Sequence, residues 1–200
     1  MLTDSQLVTM CKKMQIPLAG IFFKDELPSK LEFNKGYIIN ISDGEDKEGN
    51  ENDGTHWTAL FVKKYPNNEI EPIYFDSYGA LPPEDVKQFV RKHCSKFLPN
   101  TTKDIQSLVN NACGYYCCAF LYAVTHPRMA SGELYADVDQ FLQMFDDLNT
   151  STNYKKNEYI LKHFFRSSDA AIRVPVSIEE EAHAKGFDNG LKIPVDVRMI

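Results

Sequence analysis

Residues 113 to 125 (CGYYCCAFLYAVT) are apolar almost all the way round when read as a helix, and Pro127 sets the limit of any helix there. Such a segment has no broad polar face to offer water. Its first residue, Cys113, follows a small and polar run, 106 to 112 (QSLVNNA). At this position a buried structural thiol and an activated nucleophile look the same, so the choice between them rests on the rest of the chain.

Two hundred residues, 43% hydrophobic and 12% aromatic, suffice for one substantial core, so one domain with a tail is expected. The formal charge is −6, and no window gathers the like charges of a nucleic-acid-binding arm. Strong unspecific DNA binding is therefore disfavoured. The first twenty residues carry Asp4, Lys12 and Lys13 without a signal-like apolar run, and 18 apolar residues never occur together. A soluble, intracellular protein without a membrane role is expected. The five cysteines (Cys11, Cys94, Cys113, Cys117 and Cys118) are odd in number and lack CxxC spacing, which argues against a disulfide framework and a structural zinc. Cys117 and Cys118 read as small core residues, and His93, His126, His163 and His183 share no metal-ligand spacing.

Along the chain, residues 4 to 15 read as a first helix with Asp4 available as its cap, and 36 to 42 (GYIINIS) as a strand. The acidic, glycine-punctuated stretch 43 to 55 reads as a solvated loop. Two β-rich runs follow, 56 to 63 (HWTALFVK) and 70 to 76 (IEPIYFD). The turn-forming KYPNNE between them predicts a hairpin, with Pro72 at an edge or bulge. Helical spacing of Val86, Phe89, Val90 and Phe97 predicts a helix over 84 to 98, and places Cys94 on it. A short strand or loop over 105 to 111, the apolar helix, and two more helices near 134 to 148 and 154 to 166 complete the chain. The pattern is α+β, an antiparallel or mixed sheet flanked by helices.

A cysteine nucleophile needs a base, a group that holds the base, and donors for the oxyanion formed on attack. Cys113 at a helix N-terminus would feel the positive end of the helix dipole, and Gly114 would leave room for a substrate backbone. His56 opens one arm of the hairpin and Asp76 closes the other, so antiparallel pairing brings them together, a base held in one tautomer by a carboxylate. Gln106, seven residues before the cysteine, is near enough for its amide to donate beside the Cys113 backbone N–H. Singly each has a bland reading: Cys113 as packing, His56 as an edge contact, Asp76 as a turn residue. The order His, Asp, Gln, Cys is far more specific. Trp57 packs against the imidazole, roofs the cleft, or is a core residue.

At these residues the chain resembles the adenovirus protease family, the adenains, and more distantly the deSUMOylases of the same clan. The matching blocks are Gly54-Thr55-His56-Trp57, then Tyr74-Phe75-Asp76-Ser77-Tyr78-Gly79, then Gln106 followed by Ala112-Cys113-Gly114-Tyr115-Tyr116-Cys117-Cys118-Ala119-Phe120-Leu121. The resemblance covers about residues 1 to 166, taken as the protease domain, and implies a papain-clan fold. It implies that His56 is the base, Asp76 its orienting acid, Cys113 the nucleophile and Gln106 an oxyanion donor. It implies cleavage of viral capsid and core precursors at sites with small residues such as glycine. Virophages, polinton-like elements and large double jelly-roll DNA viruses carry such enzymes. The implied setting is the virion and the host-cell interior, in a cytoplasmic factory or the nucleus, with a monomeric enzyme.

Two features depart from the family. Adenains are basic and stimulated by DNA, whereas this chain is acidic, which disfavours a DNA cofactor; no other cofactor and no metal is expected. Adenains also take an activating peptide that adds a strand and forms a disulfide, and Cys94 falls in the broad region of that partner cysteine. Residues 167 to 200 lie outside the resemblance and read as a C-terminal extension, docked or ordered by a partner, in which 172 to 178 would add an edge strand or a glycine (Gly186, Gly190) would be a self-cleavage site. Two other functions fit the sequence: a deconjugase for a ubiquitin-like modifier, and an inactive capsid-associated binding protein on the same fold.

Overall fold

The computed structural model describes residues 1–95, 98–99, 103–108, 110–125, 138–149 and 154–162. The chain opens with helix α1 (Asp4–Lys13) and strand β1 (Leu18–Phe23), then runs through β2 (Gly36–Asn40), β3 (Trp57–Lys64) and β4 (Ile70–Phe75). Helix α2 (Glu84–Arg91), the two-residue strand β5 (Leu98–Pro99), and helices α3 (Cys113–Thr125), α4 (Val138–Gln143) and α5 (Tyr154–Lys162) follow. The five strands form one sheet in the order β1-β2-β3-β4-β5. Its outer pairs are parallel and its two inner pairs antiparallel, so the sheet is mixed and the fold α+β.

Strict alternation along the strands divides the core in two. Ile38, Trp57, Ala59, Phe61, Ile73 and Phe75 join one cluster, with α1, α3 and residues from α4 and α5. Tyr37, Ile39, Leu60, Val62 and Tyr74 join the other, with Val86, Phe89 and Val90 of α2. The sheet is thus a layer between helices. Helix α3 lies within the first cluster, buried from Cys113 through Leu121, and Phe120 stacks on Phe75 at 4.7 Å with rings 10° from parallel. Its lack of a polar face is met by cover on several sides: α1, α4, α5 and the sheet.

Several local expectations change. The cap of α1 is Thr3, not Asp4: its hydroxyl accepts from the Gln6 N–H while the Gln6 side chain accepts from the Thr3 N–H, a reciprocal arrangement that leaves Asp4 inside the first turn. Helix α2 ends at Arg91, short of the expected 98, because Leu98–Pro99 pairs with Ile73 and Tyr74 as β5, and the residue before a proline avoids helical backbone. Cys94 therefore sits just beyond α2, its N–H on the Val90 carbonyl and its side chain buried in the second cluster. Pro72 is tolerated because β5 pairs only with Ile73 and Tyr74, which leaves that end of β4 an edge. Residues 105 to 111 hold no strand among those described. The expectations for 167 to 200, Phe97, His126, His163, His183 and the end of the closing helix lie outside the described residues, as do parts of the helix expected near 134 to 148.

Candidate active site

The hairpin forms as the alternation and its turn dictate: β3 and β4 pair antiparallel with Ala59 opposite Phe75. His56 lies just before β3 and Asp76 just after β4, so both sit at one end of the sheet, where the strands no longer claim the backbone. There His56 Nε2 meets Asp76 Oδ1 at 3.0 Å. The carboxylate also accepts the Tyr78 backbone N–H at 2.8 Å, which holds it toward the ring. With Nε2 engaged by the carboxylate, the imidazole keeps Nδ1 for a second partner, and the Cys113 thiol is near enough to act on the ring's pKa.

The electrostatics of the ring follow from these neighbours. Burial alone would pull the His56 pKa down, but hydrogen bonds to Asp76 and Cys113 and the charges on both raise it to about 9. Imidazolium is therefore the favoured form at neutral pH, beside Cys113, the first residue of α3. Cys113 is 3% exposed and His56 6%. The sulfur is enclosed, yet its partner is a charged ring rather than hydrocarbon alone.

Gln106 joins the same region through its backbone. Its N–H and that of Ile105 both donate to the Ser77 carbonyl, at 3.1 and 2.8 Å. That close approach needs Gly79: its φ is +70°, and a Cβ there would stand 3.0 Å from the Lys103 carbonyl carbon. The Gln106 side chain is 1% exposed and fully bonded. Its Oε1 accepts from the Ser77 hydroxyl at 2.7 Å, and Nε2 donates to the Tyr78 hydroxyl and to the Asn110 carbonyl, each at 3.0 Å. The expectation that this amide points a hydrogen beside the Cys113 N–H thus meets a different arrangement, because both hydrogens already have acceptors.

The two expected cleft residues are placed inside. Trp57 is 2% exposed in the first core cluster and donates its indole N–H to the Leu2 carbonyl at 3.0 Å, so it is a core residue that ties down the N-terminal segment. Above Gly114, where room for a substrate was expected, a Cβ would meet Leu7 at 3.0 Å and Leu2 at 3.1 Å, so the missing side chain makes room for those leucines. No chemistry is legible in the sequence at Tyr78, Ser77 or Asn110. Tyr78 stacks on the His56 ring with centroids 4.5 Å apart. The only signal was its place in the Asp76-Ser77-Tyr78-Gly79 block, which does not tell where a hydroxyl points.

Compared with protein-family models and with curated proteins, the chain finds no match. Among the described residues no group of His, Cys, Asp and Glu is arranged to hold a metal, and no helix is long and apolar enough to cross a membrane.

Proposed function

We propose that the chain is a cysteine endopeptidase with a papain-clan, adenain-like fold. The observation that carries the proposal is the Asp76 carboxylate holding the His56 ring at 3.0 Å, with the Cys113 thiol at the head of a buried helix near enough to that ring to raise its pKa. The thiol proton resides on His56, and the sulfur attacks the peptide carbonyl carbon as the carbonyl π pair moves to oxygen. His56 then protonates the leaving amine as the C–N bond breaks, and water completes hydrolysis of the thioester. Asp76 keeps the ring in one orientation throughout. The oxyanion is met by the Cys113 backbone N–H and by the hydrogen-bonded group built around Gln106. Since the sulfur is enclosed in the resting protein, an extended peptide has to open a way to it.

The substrate class rests on the resemblance in the blocks around His56, Asp76 and Cys113: viral capsid and core precursors cut at glycine-containing sites during maturation, in the virion or the infected cell. The charge of −6 argues against DNA as an activator. Co-expression with capsid proteins of the same genome, followed by terminal sequencing of fragments, tests the reading. Fragments with the parent chain and none with Cys113→Ala, at equal folded protein, are expected. Equal cleavage by the alanine variant would remove Cys113 as the nucleophile.

A further inference from the structure

The hydrogen bonds around Gln106 can be counted donor by donor. Both Nε2 hydrogens are committed, one to the Tyr78 hydroxyl oxygen and one to the Asn110 carbonyl, while the Ser77 hydroxyl on Oε1 fixes the amide against a flip. Nothing remains on Gln106 for an oxyanion unless a bond is broken. The Tyr78 hydroxyl accepts from Gln106, so its own hydrogen must point away from that amide. No acceptor among the described residues takes it. The ring that carries it is stacked on the His56 imidazole.

We propose that Tyr78 is a catalytic residue whose hydroxyl donates to the oxyanion, and that Gln106 is a positioning residue which aims and polarises that hydroxyl. This rests on the peptidase reading above. As the sulfur–carbon bond forms and the carbonyl electron pair moves to oxygen, the Tyr78 O–H supplies a hydrogen bond beside the Cys113 N–H, and no proton is transferred. The phenol suits the task because it stays neutral: burial and the charge at Cys113 both raise its pKa above the ordinary tyrosine value. A hydrogen bond accepted from Gln106 strengthens the one the hydroxyl donates. The chain also needs no rearrangement of Gln106, whose buried bonds would be costly to break.

The test compares Tyr78→Phe, Gln106→Ala and the double variant in hydrolysis of a glycine-containing peptide and in affinity for N-acetyl-glycyl-glycinal, an aldehyde that adds to the thiol and places an oxygen at the oxyanion position. Alkylation by iodoacetamide, which builds no oxyanion, and thermal melting report on the thiol–imidazole pair and the fold. Tyr78→Phe keeps the stacked ring but leaves one Gln106 N–H without its acceptor, so near-parental alkylation and only a modest fall in melting temperature, with the protein folded at the assay temperature, are expected. With these intact, kcat and aldehyde affinity should each fall roughly 100-fold with KM little changed. The double variant should be no worse than the more impaired single variant, because the two residues act in series. If Tyr78→Phe turns over like the parent while Gln106→Ala is impaired, Gln106 donates directly and this proposal is overturned. Additive losses would overturn it equally. If the parent itself neither hydrolyses peptide nor captures the aldehyde, the peptidase reading fails, and this assignment with it.

Discussion

His56 is the residue on which the pH behaviour of the site turns. Its pKa of about 9 is set by burial working against hydrogen bonds to Asp76 and Cys113, and the last two prevail. A folded-state value above the ordinary 6.5 means that the proton stabilises the fold fully below about pH 6.5 and that this contribution is lost as pH rises through about 9. Melting temperature should therefore decline across that window. On the proposed mechanism turnover should fall over its upper end, where the imidazolium is lost. In Asp76→Asn both transitions should move to lower pH, as pH–rate and pH–melting profiles would show. Unchanged profiles in that variant would remove Asp76 as the partner that raises the ring. The pairing of His56 with Asp76 was legible in the sequence, since a two-strand hairpin puts those ends together whatever surrounds them. The partners of Gln106 were not, because a primary amide donates and accepts in several directions and its neighbours come from residues 77, 78 and 110.

Among the elements, the turn after β4 does most to position the site. Residues 76 to 79 hold the Asp76 carboxylate on His56 and bring the Tyr78 hydroxyl and the Ser77 carbonyl to the incoming 103–106 segment, and Gly79 permits the contact by its positive φ. Gly79→Ala should destabilise the protein by about 1–3 kcal/mol through strain at that dihedral. The new Cβ should also push the 103–106 segment outward, so kcat should drop by more than the loss of folded protein explains. Urea denaturation with parallel kinetics measures both. Element boundaries were less legible than element types. Thr3 and Asp4 are both good caps in isolation, and the reciprocal bond with Gln6 decides for Thr3. Helix α2 stops at Arg91 because pairing of Leu98–Pro99 with β4 needs extended chain, a demand from a strand far away in sequence.

At the scale of the molecule, Cys113, the proposed nucleophile, is held by the core. Helix α3 is buried on all sides, with Phe120 stacked on Phe75 and in edge contact with Phe141, so α3 and the sheet end bearing Asp76 are packed as one block. Phe120→Ala should cost about 3–5 kcal/mol by opening a cavity there. The activity of the remaining folded fraction should fall too, since Cys113 and Asp76 would lose their common support. Denaturant titration and kinetics at low temperature would separate the two effects, and a loss below 1 kcal/mol would show that α3 is not the keystone of the packing. Local sequence pattern accounts for the alternation of strands, the hairpin that joins His56 to Asp76, and the apolar helix that starts at Cys113. Each of these follows from local periodicity and turn chemistry, which neighbours along the chain suffice to express. Folding alone placed Trp57 in the interior, Leu2 and Leu7 over Gly114, and the Tyr78 ring on His56 with its hydroxyl on Gln106. Such choices are competitions among acceptors and surfaces brought together by folding, and their outcome depends on distances that no spacing along the chain encodes.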